Sequence, residues 1–165
     1  MTEAFELAAL IASTLTMGLV AGVFTLYAHT VMPGFRTLDD RTFVAAFQAL
    51  DRAIINPWFM VGGFLGALVT TVLAAALYVG EPPFGWIATA LALYLLTFVV
   101  TVAVNVPRND ALKAAGQPDE IADPRAVRSA FDEDRWVRWN LLRVVATIVA
   151  FGLLAWSLVV AGATG

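Results

Sequence analysis

Four long stretches free of charge govern what this chain can fold into. They run from Leu7 to about Ala28, from Pro57 to about Gly80, from Phe84 to about Val104, and from near Leu141 to near Ala161, the last holding one charge, Arg143, close to its start. Each has about 20 residues or more, and at 1.5 Å per residue such a helix crosses about 30 Å of hydrocarbon. One such run is compatible with a buried soluble helix, but four leave no polar shell to bury them. Apolar residues make up 60% of the chain and charged residues 14%, against a usual charged share of about 25%. Lipid is therefore the expected solvent for most of the surface. The runs are apolar all round, as in Leu91-Ala92-Leu93-Tyr94-Leu95-Leu96, whereas barrel strands alternate. A helix also satisfies its own backbone in hydrocarbon. The expected class is all-α: one domain over residues 1–165, a four-transmembrane-helix up-down bundle.

The connections fill in the plan. Val31-Met32-Pro33-Gly34 reads as a helix stop. From Asp39 to Ile55, Leu38, Phe43, Ala46, Phe47 and Leu50 follow helical spacing with Asp40, Arg41, Gln48 and Asp51 between them. That pattern predicts an amphipathic helix at the membrane interface. Glu81-Pro82-Pro83 makes a tight turn, so the second and third spans are antiparallel neighbours. In the third connection Gly116-Gln117-Pro118 marks a loop. Asp123-Pro124 looks like an N-cap with proline in the first turn. The segment from Arg125 is expected to run unbroken into the fourth span, supported by Asp134 and Arg138 four residues apart. Gly18/Gly22 and Gly62/Gly66 are small-residue pairs suited to close helix approach.

All ten basic residues lie in or just past the first and third connections. The positive-inside rule then puts those connections in the cytoplasm and both termini outside a cell membrane. The first six residues carry two acids and no Lys or Arg, unlike a signal peptide. The absence of Cys removes disulfides and thiolate chemistry. A net charge of −3 gives no basis for nucleic-acid binding.

An up-down arrangement gathers unusual residues at one face: Tyr27-Ala28-His29, Asn56-Pro57-Trp58, Asn105-Val106-Pro107-Arg108-Asn109-Asp110, and Trp136 to Arg143. Trp136, Asn140 and Arg143 share one side of a helix at i, i+4, i+7. Asn105, Asn140 and Arg143 sit where hydrocarbon begins and are costly there unless they face inward with partners. Two readings stand side by side. In one, the tryptophans anchor the headgroup belt, Arg143 snorkels to phosphates, and Asn56 and Asn105 cap backbone beside prolines. In the other, these groups enclose a polar pocket with Trp136 and Trp139 as walls. One His and no carboxylate within any span leave no set of metal ligands. No Asp, Glu or Lys lies mid-membrane, which argues against an ion-coupled transporter.

At these segments the chain resembles the anthrone-oxygenase-like small integral membrane proteins. The matching residues are Val31-Met32-Pro33, Asn56-Pro57, Asn105-Val106-Pro107 with Asn109-Asp110, and Trp136-x-x-Trp139-Asn140-x-x-Arg143. The likeness extends over almost the whole chain; Arg108 departs from it, standing where an apolar residue is expected. It implies oxidation of anthrones to anthraquinones by O₂ without metal, flavin or other cofactor. On these residues, His29 is the candidate base, and Arg143, Asn105 and Asn140 would hold the developing enolate. Trp136 and Trp139 would stack on a flat substrate, with Asn56, Asn109 and Asp110 as further binding groups. The partners expected are the lipid bilayer and a small hydrophobic aromatic ligand. A non-enzymatic protein that binds a lipid or hydrophobic metabolite, or supports a partner protein, is the rival reading. A transporter, with only Thr14, Thr16, Thr70, Thr71, Thr97 and Thr101 to line a path, ranks last. No feature fixes an oligomeric state.

Overall fold

A computed structural model describes residues 2–164, and the described residues are helical wherever they are regular. The first long helix, α1, comprises Thr2–Leu26, a π-helical turn Tyr27–Val31, and Met32–Arg36. Helix α2 is Asp40–Ile54. Helix α3 comprises Pro57–Phe59, a π-helical turn Met60–Phe64, and Leu65–Leu77; α4 comprises Phe84–Val100, a π-helical turn Thr101–Asn105, and Val106–Ala114. Helix α5 is Pro124–Phe131 and α6 is Glu133–Thr164. Four of these segments are long and apolar enough to cross a membrane, as expected. They pack in a ring, α1 against α3 and α6, and α4 against α3 and α6. Gly80, at φ +89, turns the chain between α3 and α4.

Prolines expected to end helices do not. Val31-Met32-Pro33-Gly34 reads as a stop and the third charge-free run ends at about Val104, yet α1 continues to Arg36 and α4 to Ala114. A proline inside an α-helix lacks an N–H and crowds the carbonyl four residues back. Here a wide π-turn ends two residues before Pro33 and two before Pro107. The wider turn takes up the disrupted bond and lets the helix go on. The remaining π-turn, Met60–Phe64, depends on Gly66, where a Cβ would stand 2.3 Å from the Val61 carbonyl oxygen. Gly18 also serves a close approach, since a Cβ there would meet the Phe151 ring at 3.0 Å; at Gly22 and Gly62 the space is open.

The amphipathic helix forms, but its face is rotated from the one the spacing suggested. Phe43, Val44 and Phe47 are buried together with Gln48 and Asp51, while Leu50 is exposed. That face packs on the protein itself. With Met32, Leu112, Ile121, Phe131 and Trp136 it forms a second apolar core, a headpiece over one end of the bundle. Asp39 caps α2 by accepting from the Thr42 amide at 3.0 Å, and its bonds from Thr42 hold its carboxyl below the usual range. Gln48 ties α2 down by donating to the Leu112 carbonyl at 2.9 Å and the Gly116 carbonyl at 3.1 Å.

The run from Arg125 into the fourth span is interrupted. Asp132 is left-handed at φ 54, ending α5, and its side chain accepts from the Arg135 amide at 3.4 Å to start α6. Asp tolerates this conformation better than most residues. Asp134 does not brace α6 through Arg138; it bonds Arg36 at 2.8 Å, and Arg36 also bonds Glu133 at 2.8 Å. The end of α1 is thereby pinned to the start of α6. Asp123 caps α5 as expected, accepting from Ala126 at 3.0 Å.

Candidate functional site

The three π-turns lie at one end of the bundle, and each contributes to the wall of one cavity: Tyr27 from the first, Met60 and Phe64 from the second, Thr101 from the third. Such turns recur at functional sites because they re-aim side chains that a regular helix would point elsewhere. The cavity holds about 200 Å³; an apolar cavity of about 150 Å³ is enough for benzene. Phe24, Phe47, Phe59 and Trp136 add aromatic surface.

Arg143 forms one charged part of this wall. It is 4% exposed. Its guanidinium donates to Asn140 Oδ1 at 2.7 Å and Thr101 Oγ1 at 3.2 Å. It lies 4.3 Å from the centre of the Phe24 ring and 5.5 Å from that of Trp136. Its Nε has no hydrogen-bond partner, and among the described residues no carboxylate is within ion-pair distance. A buried cation without a counter-ion is costly. Its spare donor and its charge suit an oxygen that carries, or acquires, negative charge.

On another part of the wall, Asp51 is buried and pairs with Lys113 at 2.6 Å. Asn109 links the two sides: it donates to Asp51 Oδ1 at 2.6 Å and accepts from Trp136 Nε1 at 2.8 Å. Lys113 also pairs with Asp110 at 3.0 Å. Tyr27 faces the same space, its ring 5.9 Å from Trp136. Among the described residues no group of three or more His, Asp or Glu converges to hold a metal.

Of the residues singled out from the sequence, Arg143, Trp136, Asn109 and Asp110 line the cavity. Asn140 and Asn105 stand behind it. Asn140 orients Arg143 and donates to the Phe24 carbonyl at 3.2 Å; Asn105 donates to the Trp136 carbonyl at 3.4 Å and keeps its own Oδ1 unpaired. The other three fall outside the lining. His29 is exposed, its Nδ1 2.6 Å from Thr30 Oγ1. It shares a π-turn with Tyr27, and it is Tyr27 that this turn aims inward. Trp139 is half-buried and not part of the wall. Asn56 caps α3, accepting from the Phe59 amide at 3.0 Å and donating to the Ala53 carbonyl at 2.7 Å. Sequence reasoning placed Tyr27 at this face without giving it a role, and missed Asp51, Lys113 and the phenylalanines. For Asp51 a signal existed: it falls at i+8 from Phe43 and i+4 from Phe47, on one face.

The family model for anthrone oxygenase matches residues 56–153, more than half of the chain. The chain belongs to the anthrone oxygenase family. No curated protein and no solved structure matches it. The family match spans α3, α4, α5 and most of α6, and so takes in Arg143, Asn140, Trp136, Thr101 and Asn109. Tyr27, Phe24 and Asp51, which complete the cavity, lie ahead of it.

Proposed function

We propose that this member of the anthrone oxygenase family is a cofactor-independent oxygenase of a lipophilic, anthrone-like aromatic, and that the cavity beside Arg143 is its active site. The observation that carries the reading is the buried guanidinium, held on two aromatic rings with its Nε–H and its charge unspent. A flat ketone fits between aromatic walls with its oxygen on Arg143. Asp51, the buried carboxylate of the wall, takes a proton from the acidic methylene carbon opposite that ketone, replacing His29 in the role of base. The enolate that results bears its charge at Arg143, where a preorganised donor in a dry site stabilises it most. Its carbon then bonds to O₂, which is reduced. Protonation yields a hydroperoxide, and loss of water, carrying the second methylene hydrogen, leaves the quinone carbonyl. One oxygen atom enters the product and the other departs in water.

The membrane setting belongs to the same proposal. The basic end, with the headpiece and cavity, faces the cytoplasm, and both termini face outward from a cell membrane, as the distribution of Lys and Arg favours.

The test supplies an anthrone and O₂ to purified protein and follows oxygen uptake and quinone absorbance. Arg143→Ala should lower kcat/KM by about 10²-fold or more, the usual cost of one oxyanion donor. Asp51→Asn should do likewise, as expected for a lost general base. His29→Ala should stay within twofold of wild type. Activity in Arg143→Ala equal to wild type would refute the reading. An anthrone held tightly and recovered unchanged under O₂ would point to a binder instead.

A further inference from the structure

We propose that the cavity is filled sideways from the bilayer, through a mouth framed by Ile55 at the α2–α3 corner and Val106 on α4; the inference rests on reading the cavity as a site for a lipophilic aromatic. Most of the lining is buried or half-buried, but Ile55 is 60% exposed and Val106 39% exposed, and Asp110 is exposed beside them. The opening therefore lies between the start of α3 and the far part of α4.

Its depth follows from helix geometry. Val106 lies 22 residues beyond Phe84, where α4 begins, a rise of about 33 Å. The hydrocarbon core is about 30 Å thick, so Val106 stands at its edge and Asp110, one turn on, among headgroups. Trp58, next to the Asn56-Pro57 corner, is 85% exposed, as suits an aromatic side chain anchored at that level.

The packing explains why a gap exists here. Helices α3 and α4 share the least extensive seam of the ring. They are tied by a short turn at the opposite end. Below the cavity the seam is closed by the stacked rings of Phe64 and Phe98, 5.3 Å apart, and by Tyr94, whose hydroxyl donates to the Phe64 carbonyl at 2.6 Å. Nearer the headpiece α2 ends at Ile54, which with the following Ile55 is in the cavity wall, and α3 starts just after them. On the headpiece side the cavity is roofed by Phe47 and Trp136 and crossed by the Lys113–Asp51 pair. A ligand from water would have to displace that pair. One dissolved in the acyl chains passes the apolar side chains of Ile55 and Val106 and leaves that pair in place.

The test uses binding of anthracene, a flat aromatic that cannot form an enolate, dissolved in phosphatidylcholine vesicles holding the full chain. Energy transfer from protein tryptophan to anthracene reports occupancy beside Trp136. Wild type should show saturable transfer. Ile55→Phe combined with Val106→Phe narrows the mouth without changing the number of tryptophans, and should slow the approach to saturation at least fivefold. Val106→Ala widens it and should shorten the approach to saturation at least twofold. An unchanged approach to saturation in both variants, or no saturable transfer in wild type, overturns the lateral route. Oxygen uptake with an anthrone, measured separately in detergent micelles where no bilayer constrains approach, tells failure of the route from failure of the oxygenase reading.

Discussion

Removing a guanidinium from water without a carboxylate beside it costs several kcal/mol, and Arg143 recovers part of that through Asn140, Thr101 and two aromatic faces. A lysine keeps the charge but loses the planar fork and its stacking. Arg143→Lys is therefore expected to retain only a minor share of activity, read as a loss in kcat rather than in protein yield. Asn56 supplies the contrast. Its side chain is spent on backbone groups at the end of α2 and the start of α3, so Asn56→Ala should lower stability by about 1 kcal/mol, the usual worth of an N-cap. Thermal unfolding in detergent would show that loss, with KM for an anthrone unchanged. A reduced affinity without a stability change would instead return Asn56 to the binding residues. The sequence pointed to both positions equally, because an inward-facing amide and a capping amide beside proline look alike until partners are known.

At the level of elements, the π-turns decide which side chains reach the cavity. Their positions were not legible as such. Pro33 and Pro107 signalled a disturbance, which is usually a helix end, and only the packing of the continued segments into the headpiece shows why the helix was worth prolonging. The amphipathic period of α2 was legible, but its orientation was not. Gln48 and Asp51 look like solvent residues because their partners, Leu112, Gly116, Asn109 and Lys113, lie some sixty residues away in sequence. The Gly66 turn offers a direct test. A methyl at Gly66 clashes with the Val61 carbonyl, so Gly66→Ala should force the Met60–Phe64 turn to shift. Overpacking of this kind costs about 1–3 kcal/mol. A matching fall in thermal stability, with weakened anthracene binding because Met60 and Phe64 line the cavity, is the expected outcome. An unaltered melting temperature would show that the turn gives way freely.

Considered as a whole, the molecule is a ring of four membrane helices with a small aromatic headpiece over one end. The spans and their number were legible because charge-free runs of that length have few other uses. The headpiece was not, since its core is assembled from parts of five helices and the loop residue Ile121, with no contiguous signal. Sidedness is open to a direct measurement. The chain has no cysteine, so single ones can be introduced without background. A membrane-impermeant maleimide added to intact cells should label Ala163→Cys and leave Arg125→Cys untouched until the membrane is permeabilised; the reverse pattern would invert the assignment.

The order in which Arg143 finds its neighbours has a bearing on how the protein is made. An arginine inside a span carries an insertion penalty of up to about 3 kcal/mol at the centre of a helix, and this one emerges from the ribosome after the other three spans. Phe24 and Thr101, which receive it, belong to helices already synthesised. The fourth span thus enters a membrane where its cradle has been laid down beforehand, and biogenesis proceeds toward the buried charge rather than starting from it.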